Sequence, residues 1–362
     1  MNERPIHIVK GRGTGLAPQS RYARLGRVPA DDGWARDAWE DEPSAPKTIV
    51  VDRPAKTIIS RNESPDVGFS QSINPYLGCE HGCIYCYARP SYAYWDLSPG
   101  LDFETKLFAK SNAVELLRKE LAAPAYACEP IMLGANTDCY QPIERQWQLT
   151  RGVVEVLHET RHPLLIVTKS ALVERDIDLL APMAANDLVQ VSVSLGLLDG
   201  ELARKLEPRA AAPHRRLQAI RTLSQAGIPV NVLVAPIIPQ LNDKDLEAVL
   251  EQARDAGATS ACYVVLRLPF ELKELFRDWL QQHYPLRATH VMSIVNQMRG
   301  GRDNDPRFGK RMTGEGIFAE LIRQRFAKTC ARLGLGAREP RLRTDLFTPP
   351  RSGAEQLDLF AR

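Results

Sequence analysis

The sequence lacks any apolar run approaching the roughly 20 residues that a membrane-spanning helix needs. Its first residues, Met1 to Pro5, have no apolar core of the kind an export signal carries, so a cytoplasmic protein is expected. A disulfide framework is excluded on similar grounds: seven cysteines, an odd number, stand in a chain with no export signal. An excess of one charge is also missing, since 47 Lys and Arg against 44 Asp and Glu leave +3, too little to identify a partner. No repeat of fixed period is present beyond an alternation of strand-like and helix-like segments. What remains is ordinary: 44% apolar and 25% charged residues over 362 positions, enough for one large α/β domain or two smaller ones.

The charge is unevenly placed. Arg4, Lys10, Arg12, Arg21, Arg24 and Arg27 crowd the start, and Arg299, Arg302, Arg307, Lys310 and Arg311 form a second stretch diluted by Asp303 and Asp305. Such segments contact phosphate backbones or are simply solvated. Residues 1–64 are rich in Gly, Pro, Arg and Asp, and a poorly structured basic arm is expected there, with strand-like pieces only at 48–51 and 57–59. From about residue 65 short β-branched runs (71–76, 131–135, 164–168, 189–195, 230–236 and 261–266) alternate with helical periodicity (112–122, 144–159, 172–185, 213–226 and 243–256). Ser111 and Asn242-Asp243 are candidate helix caps, and Gly227 and Gly257 stand where helices should stop.

Such alternation predicts parallel βαβ units. In 189–194 polar residues alternate strictly with valines, whereas a strand buried on both faces would be apolar throughout. An α/β fold built as a partial (β/α)6 TIM-type barrel with a polar interior is therefore expected over 65–298. After Leu266 the chain becomes helical, at 271–282, 288–297 and 315–332; a helical extension is expected over 299–347 and then a flexible tail over 348–362.

The most informative segment is Asn74-Pro75-Tyr76-Leu77-Gly78-Cys79-Glu80-His81-Gly82-Cys83-Ile84-Tyr85-Cys86-Tyr87. Its thiols are spaced C-x3-C-x2-C, and thiolates bind iron–sulfur clusters and zinc strongly. A structural zinc would want a fourth ligand, and His81 is crowded between cysteines. Three ligands on a four-iron cluster leave one iron open to a cofactor or substrate. Cys128, Cys139, Cys262 and Cys330 form no second close pair.

The motif, with aromatic Tyr85 before its last cysteine, resembles the signature of the radical S-adenosylmethionine (SAM) superfamily. The resemblance implies a [4Fe–4S] cluster on Cys79, Cys83 and Cys86, with SAM chelating the open iron. Reductive cleavage of SAM would then give a 5′-deoxyadenosyl radical, fed by an electron donor such as flavodoxin or ferredoxin. The partial barrel is also that family's fold, and its ligands gather at the carboxyl ends of strands. There Asn136, Thr137 and Asp138 would receive the SAM ammonium and Lys169 its carboxylate. Ser192 and Ser194 would meet the ribose, and Tyr85 the adenine.

Within the family, Asn-Pro-Tyr-x-Gly-Cys, Tyr87 and Lys169 resemble a DNA-repair-photolyase-like group related to spore photoproduct lyase, over roughly 70–316. Tyr87 and Cys139 are the candidate catalytic residues, Cys139 as hydrogen donor. The lesion-repair lyases carry their donor cysteine just before the matching turn, where this chain has Gly134-Ala135-Asn136. In the tail, Gln356-Leu357-Asp358-Leu359-Phe360 resembles the pentapeptide that binds the bacterial sliding clamp. The expectation is a radical SAM enzyme, possibly a lyase by its resemblance, acting on nucleic acid, DNA foremost. Radical modification of RNA or protein is the alternative enzyme reading, and a non-enzymatic iron–sulfur or zinc module the third.

Overall fold

The computed structural model describes residues 9–23, 46–336 and 341–350. Its strands in chain order are β1 (Ile49–Asp52), β2 (Ile59–Arg61), β3 (Gln71–Ile73), β4 (Tyr76–Leu77), β5 (Lys106–Ala109), β6 (Ile131–Leu133), β7 (Leu164–Thr168), β8 (Val189–Ser194), β9 (Val230–Ile237) and β10 (Ser260–Val265). All six expected strands occur as β3, β6, β7, β8, β9 and β10, parallel neighbours standing in chain order. β2 pairs antiparallel on the β3 edge. Strands that follow in order without reversal, joined by right-handed crossovers, carry their helices on one face.

The two faces differ chemically. Val189, Val191, Val193, Val230, Val232 and Val234 are all but fully buried in the main core. The alternate positions form a polar ladder. Gln190 reaches Ser260 Oγ at 3.4 Å, Ser260 Oγ donates to Asn231 Oδ1 at 3.1 Å, and Asn231 Nδ2 donates to Ser192 Oγ at 3.1 Å. The ladder ends where Lys169 Nζ donates to Ser194 Oγ at 3.0 Å.

The helices depart from expectation in instructive ways. The segment expected as one helix over 144–159 is two, Glu144–Trp147 and Leu149–Glu159, broken at Gln148 with φ 49°. Buried Glu144 explains the break, because its carboxylate accepts from the N–H groups of Thr150 and Arg151 and so caps the second helix. Ser111 is not a cap. The N-cap is Asn112, whose amide pairs instead with both backbone groups of Ala55. Asn242, buried, accepts from Ile238 N–H and donates to the carbonyls of Gly196 and Pro236, fixing the exit of β9. Gly227 and Gly257 do end helices, at φ 77° and 105°. Helix Gly200–Leu206, capped by Asp199, and a three-stranded sheet β1-β5-β4 were not expected.

Both basic stretches also read differently in three dimensions. Residues 9–23, expected to be poorly structured, pack against the cysteine loop. Arg12 is buried and donates to the carbonyls of Glu104 and Pro46 and to Thr48 Oγ1. Gly13 lies so close that an added Cβ would fall 1.8 Å from Gly82 O. In the second stretch Arg299 is buried on the carbonyls of Val265, Leu266, Lys310 and Arg311, Arg307 and Lys310 pair with Glu315, and Arg311 pairs with Asp66. Guanidinium groups satisfied in this way brace loops, and only Arg302 of the five lies exposed without an ion pair in the described residues.

Candidate active site

The cysteine loop follows β4 and is shaped by two glycines. Gly78 at φ 78° and Gly82 at φ 67° occupy the left-handed region, and a Cβ at Gly78 would meet Tyr92 Oη at 2.1 Å. Buried ionic groups then hold the loop from below. Arg89 donates to the carbonyls of Gly82, Cys83 and Gly100, while its guanidinium pairs with Glu104, both side chains being wholly buried. Gln141 brackets the first cysteine, accepting from Glu80 N–H and donating to Gly78 O. Cys79 and Cys83 are buried and Cys86 half-buried, the last packing with the apolar groups around each of the others. As free thiols all three are pushed up, chiefly by burial, and Cys83 to about 12.

His81, dismissed as a ligand, has another partner: its Nδ1 lies 3.3 Å from Asp138 Oδ2. Asp138 is also bound by Thr168 Oγ1, Tyr140 N–H and Lys169 N–H. Burial raises its pKa, but His81 and these hydrogen bonds prevail and hold it down to about 2. The Asp138 carboxylate expected to meet an ammonium is therefore committed to joining β6, β7 and the cysteine loop. Thr137 donates its hydroxyl hydrogen to Tyr76 O at the exit of β4, which leaves its oxygen lone pairs as acceptors. Asn136, half-buried, is anchored through its N–H to Asn74 Oδ1.

Lys169, at the exit of β7, turns its side chain toward β8 and the cysteine loop. Its Nζ lies 3.0 Å from Ser194 Oγ and 5.7 Å from the Tyr85 ring centroid, and no ion pair within the described residues neutralises it. Tyr85 is buried and donates its hydroxyl to Glu207, which pairs with buried Arg216, which in turn donates to Ser194 O at 3.0 Å. Its ring is thus fixed by an ionic chain, with its hydroxyl turned inward. Tyr87 is half-exposed and donates to Ala135 O at the end of β6. Ser192 lies deeper on the polar face, bound by Asn231. Cys139 is not brought to the site: it is fully buried in the main core beneath Gly134, whose added Cβ would lie 3.2 Å from its sulfur. Burial raises that thiol well above its ordinary range. A donor there is walled off, because the glycine turn carries the chain over it.

Comparison with known proteins is decisive at this point. Residues 73–253, half of the chain, match the Radical SAM superfamily model. The chain belongs to the radical SAM superfamily. Its cofactors are accordingly a [4Fe–4S] cluster and S-adenosylmethionine. Among curated relatives, an uncharacterized protein of Mycobacterium bovis is 39% identical over 60% of this chain, a match that spans 64% of that protein's own length. An uncharacterized protein of Methanocaldococcus jannaschii is 28% identical over 66% of this chain and 85% of its own. Spore photoproduct lyase complexed with dinucleoside spore photoproduct superposes with a TM-score of 0.54 at 16% identity over 80% of both chains. A mutant of that lyase with bound AdoMet and the same dinucleoside gives 0.54 at 17% and the same coverage. At such identity the likeness speaks for the fold.

The residues present suit a radical SAM cofactor pair. Two buried thiols and one half-buried share one tightly held loop, and beside them stands the Lys169 ammonium, with no ion pair among the described residues. Among the described residues no three His, Cys, Asp or Glu side chains are arranged to hold a single metal ion. Ligands to separate irons of a cluster need not converge on one point. Arg89, Glu104, Gln141, Glu207 and Arg216 were missed from sequence, since each acts through a partner distant in the chain.

Proposed function

We propose that this radical SAM enzyme holds its cluster on Cys79, Cys83 and Cys86, binds SAM across Lys169 and Ser194, and acts on nucleic acid, DNA foremost. The observation that carries the proposal is Lys169, a cation with no ion pair among the described residues, fixed by Ser194 and Tyr85 beside the cysteine loop. When bound and given one electron by an external donor, the cofactor pair would supply a hydrogen-abstracting radical. The chain's own residues do the rest. Arg89 and Glu104 keep the loop carbonyls in place, Lys169 attracts a carboxylate, the Glu207–Arg216 pair fixes Tyr85, and burial of Cys79 and Cys83 keeps water out.

Strands in chain order and a polar ladder on the helix-free face support a partial (β/α)6 barrel with its ligands inside, over 65–298. Support for nucleic acid is the fold shared with spore photoproduct lyase, which binds a dinucleoside photoproduct. With Cys139 walled off, a repair lyase would need a different final hydrogen donor. The clamp-like segment lies outside the described residues, and clamp binding, a flavodoxin or ferredoxin donor and a cytoplasmic site stay part of this reading. Among the described residues no helix is long and apolar enough to cross a membrane.

The test is chemical reduction of cluster-loaded protein with SAM, adding DNA, RNA or a peptide mixture in turn. Stimulation of 5′-deoxyadenosine release by DNA is expected. Stimulation by RNA or peptide alone would replace the substrate.

A further inference from the structure

Three aromatic rings from distant parts of the chain meet on the surface at the carboxyl end of the sheet. Tyr22 comes from the packed segment 9–23, Tyr94 from the turn of helix Arg89–Trp95, and Phe270 from the loop after β10. Tyr22 and Tyr94 stack with centroids 5.4 Å apart, and the Arg21 guanidinium lies 4.9, 5.3 and 4.3 Å from the centroids of Tyr22, Tyr94 and Phe270. Glu271 takes both carboxylate contacts from Arg21 at 2.8 Å, so that cation is already neutralised.

Rings that merely pinned the N-terminal segment would be buried. Tyr22, Tyr94 and Phe270 are instead 55%, 68% and 62% exposed. Phe270 moreover has φ 50°, the left-handed region that a bulky residue enters only under strain, and its ring gains little packing in return.

A cation stands three residues before Phe270. Arg267 is half-buried, its Nε is shielded from solvent without a hydrogen-bond partner, and its Nη1 reaches only Met312 Sδ at 3.6 Å. Its guanidinium carbon lies 5.7 Å from the centroid of Tyr87, the residue after Cys86. The loop that carries Arg267 and Phe270 is itself held by buried Arg299 and by the Val265 N–H bond to Met312 O. An anion-seeking group and a set of exposed rings thus flank the cysteine loop on one braced rim. Aromatic faces with an adjacent cation suit unpaired bases and their phosphates, since every base has a face to stack.

We propose that Tyr22, Tyr94 and Phe270 form a stacking platform for unpaired bases next to the reacting nucleotide, with Arg267 binding the phosphate between platform and cluster loop. This inference rests on the nucleic-acid reading and adds that the strand is recognised unpaired.

The test is fluorescence anisotropy of a short labelled oligothymidine and of its duplex against the cluster-loaded protein over a salt series. The wild type should prefer the single strand. Phe270→Ala and Tyr94→Ala should each weaken binding about tenfold without changing the salt slope. Arg267→Gln should lower that slope by about 0.7. Phe270→Gly guards against a folding artefact: relief of φ strain should raise Tm while binding still falls. Ring variants that bind like wild type, or a duplex bound as tightly as the single strand, would overturn the platform and leave the nucleic-acid reading standing. A wild type that binds neither these DNA probes nor a labelled oligouridine run beside them would overturn both.

Discussion

Arg89 and Glu104 form an ion pair with no solvent exposure on either side chain, and through it the carbonyls of Gly82 and Cys83 are held on the floor of the cysteine loop. A buried pair of this kind adds little net stability but is costly to break. Glu104→Gln keeps the shape and removes the charge, leaving Arg89 uncompensated. Stability should fall by about 3–5 kcal/mol. Iron incorporated on reconstitution should fall with it. Thermal denaturation and iron content check this; a variant with wild-type Tm and full iron would show that the pair does not hold the loop.

Lys169 is expected to bind the SAM carboxylate. Lys169→Met keeps the length and loses the charge, so SAM affinity should fall about 10- to 100-fold, the range for a charged hydrogen bond of about 1.5–3 kcal/mol. Cluster content should be unaffected, because the Lys169 side chain makes its hydrogen bond to Ser194 and not to the cysteine loop. Equilibrium dialysis with labelled SAM measures it, and unchanged affinity would move the carboxylate site elsewhere.

His162 gives a pH dependence. It is fully buried, its Nδ1 facing Pro163 O at 3.0 Å and its Nε2 the Tyr126 hydroxyl at 2.7 Å, and burial lowers its pKa from 6.5 to about 4. The unfolded chain therefore binds the proton first as pH falls. Stability is complete above pH 6.5 and declines between 6.5 and about 4, by roughly 3 kcal/mol in all. Phe347 packs on the same ring, so the 341–350 segment should loosen in this window. Urea unfolding across pH, with His162→Gln flattening the profile, checks the sign.

The Gln356–Phe360 segment predicts its own result. Deleting 356–362 should abolish binding to the bacterial sliding clamp and leave SAM cleavage intact, as surface plasmon resonance and a cleavage assay would show. Equal clamp affinity in the truncated chain would reject the motif.

How much was legible in sequence depended on how local the signal was. The Cys79, Cys83 and Cys86 spacing and the Gln190-Ser192-Ser194 alternation are written within a few residues, and each declares chemistry or a face without help from elsewhere. Lys169 drew notice in the sequence because it ends an apolar strand. The Asn136-Thr137-Asp138 turn stood out as a candidate, yet Thr137 Oγ1 donates to Tyr76 O and Asp138 pairs with His81, partners set by the fold. The same holds for Arg12, Arg299 and Arg311. A basic residue looks identical in sequence whether it meets a phosphate or a carbonyl, and only packing distinguishes the two. The break at Gln148 was hidden because the capping carboxylate, Glu144, belongs to the preceding helical turn.

The measurement that tests the central claim most directly is 5′-deoxyadenosine formed by anaerobically reconstituted protein under dithionite with SAM. It should appear in the wild type and vanish in Cys79→Ala, Cys83→Ala and Cys86→Ala, together with the brown cluster absorbance. Cleavage that survives in any of the three variants, or a wild type that assembles no cluster and binds no SAM, would contradict it.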